Sequence, residues 1–228
     1  MSKYENIICI VPARSGSKMI KDKNLLKING KTLIENALDS ASEILPKKNI
    51  YISTDSKKYE DIATSAGYQS QGLRNIHLAK DDTKTFEVIK DFISILNREV
   101  SAILMLQPTS PFRAREEIED AIELFFKKRE TVFSISEQIE PHPYKMLFKE
   151  NLNIKPIFDK KYFEFPKQKL PKTYSLNGAI YVFSLNTIIQ FNSIYSENPE
   201  PFIIDRRPNI DTHEDYIAAL EYAKIYAK

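Results

Sequence analysis

The sequence predicts an α/β protein with a mainly parallel sheet covered by helices on both faces. Short β-branched apolar runs alternate with amphipathic runs at helical spacing, and polar loops follow the apolar runs. Continuous apolar runs are typical of parallel strands that are buried on both faces. The chain has 228 residues, of which 42% are apolar and 28% charged, so it is long enough for one large domain.

Strands and helices are expected to alternate along the first 135 residues. The apolar run Ile7–Val11 predicts the first strand, Thr32 is a good N-cap for the first helix, and Gly67 is a good C-cap for the second. The expected strands are 7–11, 50–53, 102–106 and 131–135, and the expected helices are 33–44, 56–66, 85–96 and 116–128.

Residues 140–177 interrupt this alternation, because they lack helical spacing and are rich in Pro, Tyr, Phe and Lys. We therefore expect a core of 1–139 and 178–228, and an excursion of 140–177 that covers a site or meets a partner. Within the core, Ala179–Phe183 predicts a returning strand. The last helix is expected from about His213, with a buried face of Ile217, Leu220 and Ile225.

Composition excludes several classes of protein. The net charge of +2 argues against a nucleic-acid binder, and the single cysteine, Cys9, excludes an internal disulfide or a cysteine-based zinc site. The apolar run near the N-terminus has only five residues, which is too short for a signal peptide, and no stretch approaches a membrane span. A reducing cytoplasm is the expected location.

The loop after the first strand concentrates positive charge. Arg14, Lys18, Lys21 and Lys23 fall within ten residues, and small residues between Arg14 and Lys18 allow a tight turn that presents backbone N–H groups. A polyphosphate site needs such amide donors together with Arg and Lys charges. A solvated basic loop is the alternative interpretation from charge alone.

The loop after the strand at 102–106 is rigid and polar. It reads QPTSPFR from Gln107 to Arg113, so two prolines stiffen a backbone that carries hydrogen-bonding side chains. Gln107 could contact a base edge, and a plain strand-to-helix turn is the alternative. Ligands bind at the carboxyl ends of parallel strands, where both loops lie. Neither loop has the GxxxxGK[ST] or GxGxxG pattern, which argues against a P-loop NTPase or a dinucleotide oxidoreductase.

Four motifs occur in order over nearly the whole chain: PARSGSK, LQPTSPFR, NGAIY and IDTHED. Together they resemble those of the acylneuraminate cytidylyltransferases, the CMP-sialic acid synthetases and their relatives. The resemblance implies a Rossmann-like nucleotidyltransferase fold, a three-layer sandwich with a small dimerisation excursion. It also implies transfer of CMP from CTP to the anomeric hydroxyl of a nine-carbon 2-keto sugar acid, such as sialic or legionaminic acid, with release of pyrophosphate.

The resemblance assigns the two loops to the nucleotide. Arg14 and Lys18 are expected to be catalytic because charge on the phosphate oxygens must be neutralised during transfer, and Asp211 because it would hold the metal. The residues expected to contact CTP are Pro12, Ala13, Arg14, Lys23, Asn24, Arg74, Thr83, Thr85 and Gln107. The register of Thr83 and Thr85 stays open.

Mg²⁺ is the cofactor that the resemblance implies, and Asp211 with Asn209 is the expected ligand pair. Relatives usually carry Asp-x-Asp here, and side chains two apart on an extended segment point the same way. Asn209 can ligate Mg²⁺ through its carbonyl oxygen but supplies no charge, so Asp211 is the main expected ligand. A capping role before the last helix is the alternative for Asp211.

The sugar site is expected in and beside the excursion. Its residues, by resemblance, are Gln107, Lys145, Lys167, Ser175, Asn177, Tyr181, Ile194 and Tyr195. Relatives have Arg where this chain has Lys167 and Ser175, and neither residue reproduces a bidentate guanidinium–carboxylate pair. The sugar, or the way its carboxylate is held, is therefore expected to differ from plain sialic acid. The alternatives are inward packing for Tyr181 and a solvated loop for the two lysines.

The many aromatic residues between 140 and 200 predict a homodimer, since exposing them would create a patch typical of a partner surface. In the resembled family the excursion crosses to the other subunit, and Ile194 and Tyr195 would reach the neighbour's sugar site. A second small core within one chain is the alternative. Two other functions stay open: cytidylyl transfer to pseudaminic acid or Kdo, and nucleotide binding by a regulatory protein without turnover.

Overall fold

The computed structural model describes residues 4–226. The strands in chain order are β1 (Ile7–Pro12), β2 (Lys27–Ile28), β3 (Lys31–Thr32), β4 (Ile50–Ser53), β5 (Gln69–Ser70), β6 (Ala102–Met105), β7 (Val132–Glu137), β8 (Leu147–Glu150), β9 (Asn153–Pro156), β10 (Tyr174–Phe183) and β11 (Glu200–Ile203). The helices are α1 (Leu33–Ser42), α2 (Lys57–Ser65), α3 (Thr85–Ser94), α4 (Arg115–Lys128), α5 (Leu185–Phe191) and α6 (His213–Tyr226).

One mixed sheet forms the centre of this described part of the chain, with the strand order β11-β7-β10-β6-β1-β4-β5. Strands β4, β1 and β6 run parallel, as do β11 and β7, whereas β10 runs antiparallel to both β6 and β7. The predicted α/β class with a mainly parallel sheet is confirmed. The carboxyl ends of β1, β4 and β6 meet at one edge, where the two polar loops begin.

Helices cover both faces of the sheet, which makes three layers. On β1, Ile7, Cys9 and Val11 face the cluster packed with α1, α2 and α4, while Ile8 and Ile10 face α3 and α5. These five side chains are fully buried, as expected for the central strand. Burial also raises the pKa of the Cys9 thiol.

The predicted cap of the first helix is confirmed. The backbone N–H of Glu35 donates to the hydroxyl of Thr32 at 3.2 Å, and the N–H of Thr32 donates to the Glu35 carboxylate at 2.7 Å. This reciprocal pair satisfies two of the backbone donors that a helix start leaves open. Gly67 follows α2 with φ of 86°, the left-handed conformation that favours glycine.

The expected buried face of the last helix is wrong at Ile217 and Ile225. Ala219 and Ala223 are the buried residues of α6, whereas Ile217 is 47% and Ile225 is 67% exposed. Ala219 and Ala223 pack against a small cluster that includes Ile28, and their small side chains allow the helix to approach closely. Leu220 packs at the edge of that cluster.

Short elements make up residues 140–177. They include the exposed hairpin β8–β9, and Tyr144 stacks on Phe158 with ring centroids 4.3 Å apart. Residues 174–177 already pair with β7 as the first part of β10, so this end of the excursion is part of the main sheet. In the part of the chain described, no helix has the length and apolar character needed to cross a membrane.

Candidate functional site

A polar cavity of about 260 Å³ opens where the carboxyl ends of β1, β4 and β6 meet. Eight of the nine residues expected to contact the nucleotide line it: Pro12, Arg14, Lys23, Asn24, Arg74, Thr83, Thr85 and Gln107. The ninth, Ala13, is fully buried beneath. Residues from four separate stretches of the chain therefore converge on one cavity.

Two internal contacts give the first loop its shape. Asn24 is almost fully buried, and its side-chain amide donates to the backbone carbonyl of Arg14 at 2.9 Å. Ser15 donates from its backbone N–H and from its hydroxyl to the Asp55 carboxylate, at 2.8 and 2.6 Å. The sequence analysis missed Asp55, although its position two residues after β4, at the same edge of the sheet, could have indicated it.

The two predicted catalytic cations of this loop share one carboxylate. Arg14 Nη1 lies 2.5 Å from Asp81 Oδ1, and Lys18 Nζ lies 2.5 Å from Asp81 Oδ2. Lys18 and, second, Arg14 hold the pKa of Asp81 below its ordinary value. The Lys18 side chain is 81% exposed and stands at the rim, whereas Arg14 lines the cavity.

Arg74 is fixed against the end of β4. Its guanidinium donates to the carbonyl and hydroxyl oxygens of Ser53, at 2.6 and 3.2 Å. Its backbone N–H donates to the backbone carbonyl of Thr54 at 2.7 Å. Burial lowers the pKa of Arg74 to about 10, which leaves it charged at neutral pH. Arg74 thus gives the cavity a cationic group that three hydrogen bonds hold in place.

The second loop is tied to strand β10 by Arg113, which sequence analysis did not single out. Its guanidinium donates to the backbone carbonyls of Gln107 and Ala179, the latter at 2.7 Å. Burial lowers the pKa of Arg113 to about 9. Gly178 lies directly against the Gln107 side chain, so closely that a Cβ at this residue would be 2.6 Å from Gln107 Oε1.

A hydrogen-bonded row of side chains runs from the second loop to the first. Ser110 Oγ lies 2.8 Å from Asn209 Oδ1, Asn209 Nδ2 donates to Asp211 Oδ2 at 2.7 Å, and Lys23 Nζ donates to Asp211 Oδ1 at 2.8 Å. The start of α6 is capped instead by Thr212 and Asp215. The Asp211 side chain therefore does not cap this helix. It is 60% exposed and lies beside Lys23, which lines the cavity.

The donor set around Asp211 fits a magnesium ion that arrives with a phosphate ligand. Among residues 4–226 no group of three or more His, Cys, Asp or Glu side chains could hold a metal by itself. Mg²⁺ in nucleotide sites is usually held by one or two carboxylates plus substrate phosphates. Asn209 presents its amide nitrogen to Asp211; reversing the amide would turn the oxygen there and let the nitrogen donate to Ser110.

A second cavity, of about 500 Å³, lies on the other side of this row. Ser175, Asn177, Asn209 and Arg206 are among its lining residues. Asn177 uses both ends of its amide inside the protein, since it accepts from Ser134 at 2.5 Å and donates to Ser136 at 2.9 Å. It fixes the irregular turn of β10 as well as facing this cavity.

The remaining expected sugar residues lie elsewhere. Lys145 donates to the carbonyl of Phe163 at 3.2 Å, and Lys167 forms an ion pair with Glu140, both within the excursion. Tyr181 is 5% and Ile194 is 7% exposed; both are part of the core beside α3 and α5, with the half-buried Tyr195. Burial raises the pKa of Tyr181. None of these five residues, all expected at the sugar site, lines either of the two cavities.

Comparison with known proteins gives two independent likenesses. Residues 8–220 match the sequence profile of the family described as Cytidylyltransferase. The fold resembles the solved CMP:2-keto-3-deoxy-manno-octonic acid synthetase complexed with CTP, with a TM-score of 0.70, 16% identity and coverage of 96% of this chain and 99% of that one.

Two curated relatives match most of the chain. An N-acylneuraminate cytidylyltransferase of Streptococcus agalactiae serotype V is 34% identical over 92% of this chain. The chain spans about half of that relative's length, 51%. A CMP-N,N'-diacetyllegionaminic acid synthase of Legionella pneumophila is 32% identical, over 92% of this chain and 93% of its own length.

Proposed function

Because the chain belongs to the cytidylyltransferase family, we propose that it transfers CMP from CTP to a nine-carbon 2-keto sugar acid. The acceptor is sialic acid or a relative such as legionaminic acid. Its anomeric oxygen forms a bond to the α-phosphorus while the bond from that phosphorus to the β-phosphate bridge breaks. Pyrophosphate leaves, the hydroxyl proton is released, and CMP-sugar remains. The expected cytoplasmic location stays a prediction.

The convergence of eight predicted nucleotide residues on one cavity is the observation that carries this proposal. Arg14, Lys23 and Arg74 supply positive charge, and Lys18 stands at the rim. Nucleotidyl transfer needs little covalent chemistry from the protein, and positioned cations lower its barrier by stabilising charge on the phosphate oxygens. Gln107, whose backbone carbonyl accepts from Arg113, would contact the base.

Asp211, with Asn209 after reversal of its amide, would hold Mg²⁺ between the nucleotide cavity and the second cavity. A bound ion would neutralise part of the triphosphate charge. Lys23 orients the Asp211 carboxylate through its 2.8 Å contact and is itself positioned to contact phosphate oxygens. The second cavity, beyond this row, is the proposed place of the acceptor.

Replacing Gly178 by alanine is expected to weaken nucleotide binding as well as stability. The backbone φ of 72° costs an L residue about 1–2 kcal/mol, and the new Cβ would push Gln107 from its position. We expect the KM for CTP to increase about three- to tenfold, because this is the effect of losing one hydrogen bond to the nucleotide. Gly30→Ala is the matched control in thermal denaturation and kinetics, because Gly30 has φ of 81° but no neighbour within 4 Å. An equal effect on KM in both variants would contradict the role given to Gln107.

Lys145→Ala and Lys167→Ala are expected to raise the KM for the sugar acid by about tenfold each, with little change in the KM for CTP. Neither lysine lines the second cavity of its own chain, so each would reach the acceptor of the neighbouring subunit through the excursion. Each replacement would then remove one hydrogen bond from a charged donor, a contact already present in the ground state. Steady-state kinetics with each substrate varied in turn measures this split. Lys160→Ala, an exposed lysine of the same excursion, is the control. An effect confined to the KM for CTP would contradict the assignment.

A homodimer built through the excursion is part of the proposal. Every residue of the hairpin β8–β9 except Pro156 is exposed; Leu147 is 52% and Ile154 is 67% exposed. Such a patch is typical of a partner surface. Light scattering at micromolar concentration is expected to give a molecular mass of twice 26.4 kDa. The double variant Leu147→Asp, Ile154→Asp is expected to be a monomer with reduced activity. A fully active wild-type monomer would exclude the dimer. It would also exclude a contribution of Tyr195 to the sugar site of a neighbouring subunit.

A pyrophosphate-release assay with CTP and an acceptor panel tests the proposed function. The panel contains N-acetylneuraminic, N,N'-diacetyllegionaminic, pseudaminic and 3-deoxy-manno-octulosonic (Kdo) acids. We expect turnover with sialic or legionaminic acid, the acceptors named for the two curated relatives. Turnover confined to pseudaminic acid or Kdo would change the acceptor. CTP binding in calorimetry without turnover on any acceptor would identify a nucleotide-binding regulatory protein instead.

A further inference from the structure

Of the hydrogen bonds and ion pairs in the described residues, those of Asp81 join the segment 76–84 to the first loop. Asp81 places one carboxylate oxygen 2.5 Å from Arg14 and the other 2.5 Å from Lys18. Within the described residues, the other hydrogen bonds of 76–84 join positions at most six apart. Asp81 also lines the nucleotide cavity.

A carboxylate in this position resembles a bound phosphate group. It presents two anionic oxygens to the same two cations that the proposed function assigns to the triphosphate. While Asp81 pairs with Arg14 and Lys18 it occupies a donor of each cation and places a negative charge beside any phosphate bound there, and like charges at this distance repel. A phosphate group that takes the same donors must therefore displace Asp81, which removes the contact of its segment with the first loop.

We propose that Asp81 is an internal competitor for the phosphate site, which sets the affinity for CTP and assists the departure of pyrophosphate. The inference rests on the proposed function, because it assigns Arg14 and Lys18 to phosphate oxygens. Since the carboxylate returns to both cations whenever phosphate leaves, it lowers the affinity for substrate triphosphate and for product pyrophosphate alike. It has no such effect on a ligand without phosphates.

Isothermal titration calorimetry of Asp81→Asn with CTP, pyrophosphate and cytidine tests whether Asp81 competes with phosphate. Each titration is done without a divalent metal and then with Mg²⁺. Asn keeps the shape and one oxygen but removes the charge. We expect CTP and pyrophosphate to bind about three- to tenfold more tightly than to the wild type, the range for the loss of two exposed ion pairs. Cytidine affinity is expected to stay the same. In kinetics, the inhibition constant for pyrophosphate should fall by the same factor.

Asp82→Asn is the matched control, since it removes the same charge from the next residue, which the structure does not place in an ion pair within residues 4–226. Equal tightening in both variants would overturn the proposal in favour of a general charge effect. Unchanged or weaker binding of CTP and pyrophosphate by Asp81→Asn would overturn the proposal too. Weaker CTP binding that occurs only with Mg²⁺ present would assign Asp81 to the metal instead. Failure of the wild type to bind CTP would instead remove the proposed function, and this inference with it.

Discussion

Replacing Asp211 by alanine is expected to lower kcat for pyrophosphate release by more than about 100-fold, with no recovery at high Mg²⁺. Loss of an outer-shell partner of a metal typically costs 10–100-fold, and loss of the main carboxylate should exceed that. The variant should fold, because Asp211 is 60% exposed and the cap of α6 is made by Thr212 and Asp215. Thermal denaturation measures that stability.

Asp205→Ala is the control for this variant, since Asp205 is an exposed acid six residues earlier on the same approach to α6. It should keep near-normal kcat. Asn209→Asp should be tolerated and should lower the Mg²⁺ concentration needed for half-maximal rate, because it restores a second carboxylate beside Asp211. Activity in Asp211→Ala, or activity that survives EDTA, would remove the metal from this position.

Alanine at Arg14 or Lys18 is expected to reduce kcat by about 10²–10³, the cost of losing one donor to developing charge in a transition state. Arg14 lines the cavity and also donates to the carbonyl of Gly16 at 3.0 Å, which keeps it aimed inward. Arg14→Lys should recover only part of the rate, because lysine cannot copy a forked guanidinium contact. Lys18, at the rim, must move inward to act.

The control in the same loop is Lys21→Ala, which removes an exposed positive charge and no ion pair within the described chain. Single-turnover kinetics with saturating CTP separate a loss in chemistry from a loss in binding. Near-normal pyrophosphate release by Arg14→Ala would end the assignment of the first loop to the phosphates. A normal Lys18→Ala beside an inactive Arg14→Ala would confine catalysis to the cavity wall.

Local patterns were sufficient to predict the central elements, whereas the family resemblance supplied most of the residues that line the first cavity. The strand Ile50–Ser53 was predicted to the residue, and Thr32 was identified as a cap from its position alone. The loops could be placed together because parallel strands bring their carboxyl ends to one edge. Strand β11 was missed because Pro201 lies inside it, which is tolerated only at the edge of a sheet.

Contacts between distant residues account for what sequence reasoning did not find. Asp55 and Asp81 are ordinary acids in the sequence, and only folding brings them to Ser15 and to Arg14. The orientation of the Asn209 amide likewise depends on Ser110, 99 positions away. The buried face of α6 carries Ala219 and Ala223 with Tyr216 and Leu220 packed beside them, so a search for large apolar residues selected Ile217 and Ile225 in error.

The position of strand β10 has a consequence for exchanging acceptor preference between relatives. Its first part, from Tyr174, borders the second cavity, whereas Ala179–Phe183 forms core between β6 and β7. Asn177 and Gly178 join the two parts and contact the serines of β7 and the side chain of Gln107. A chimaera should therefore take its foreign segment from about residue 140 up to Leu176 and keep the native residues from Asn177 onward. A crossover placed further downstream would set foreign residues against the native Gln107 side chain, and we expect such a chimaera to lose affinity for CTP.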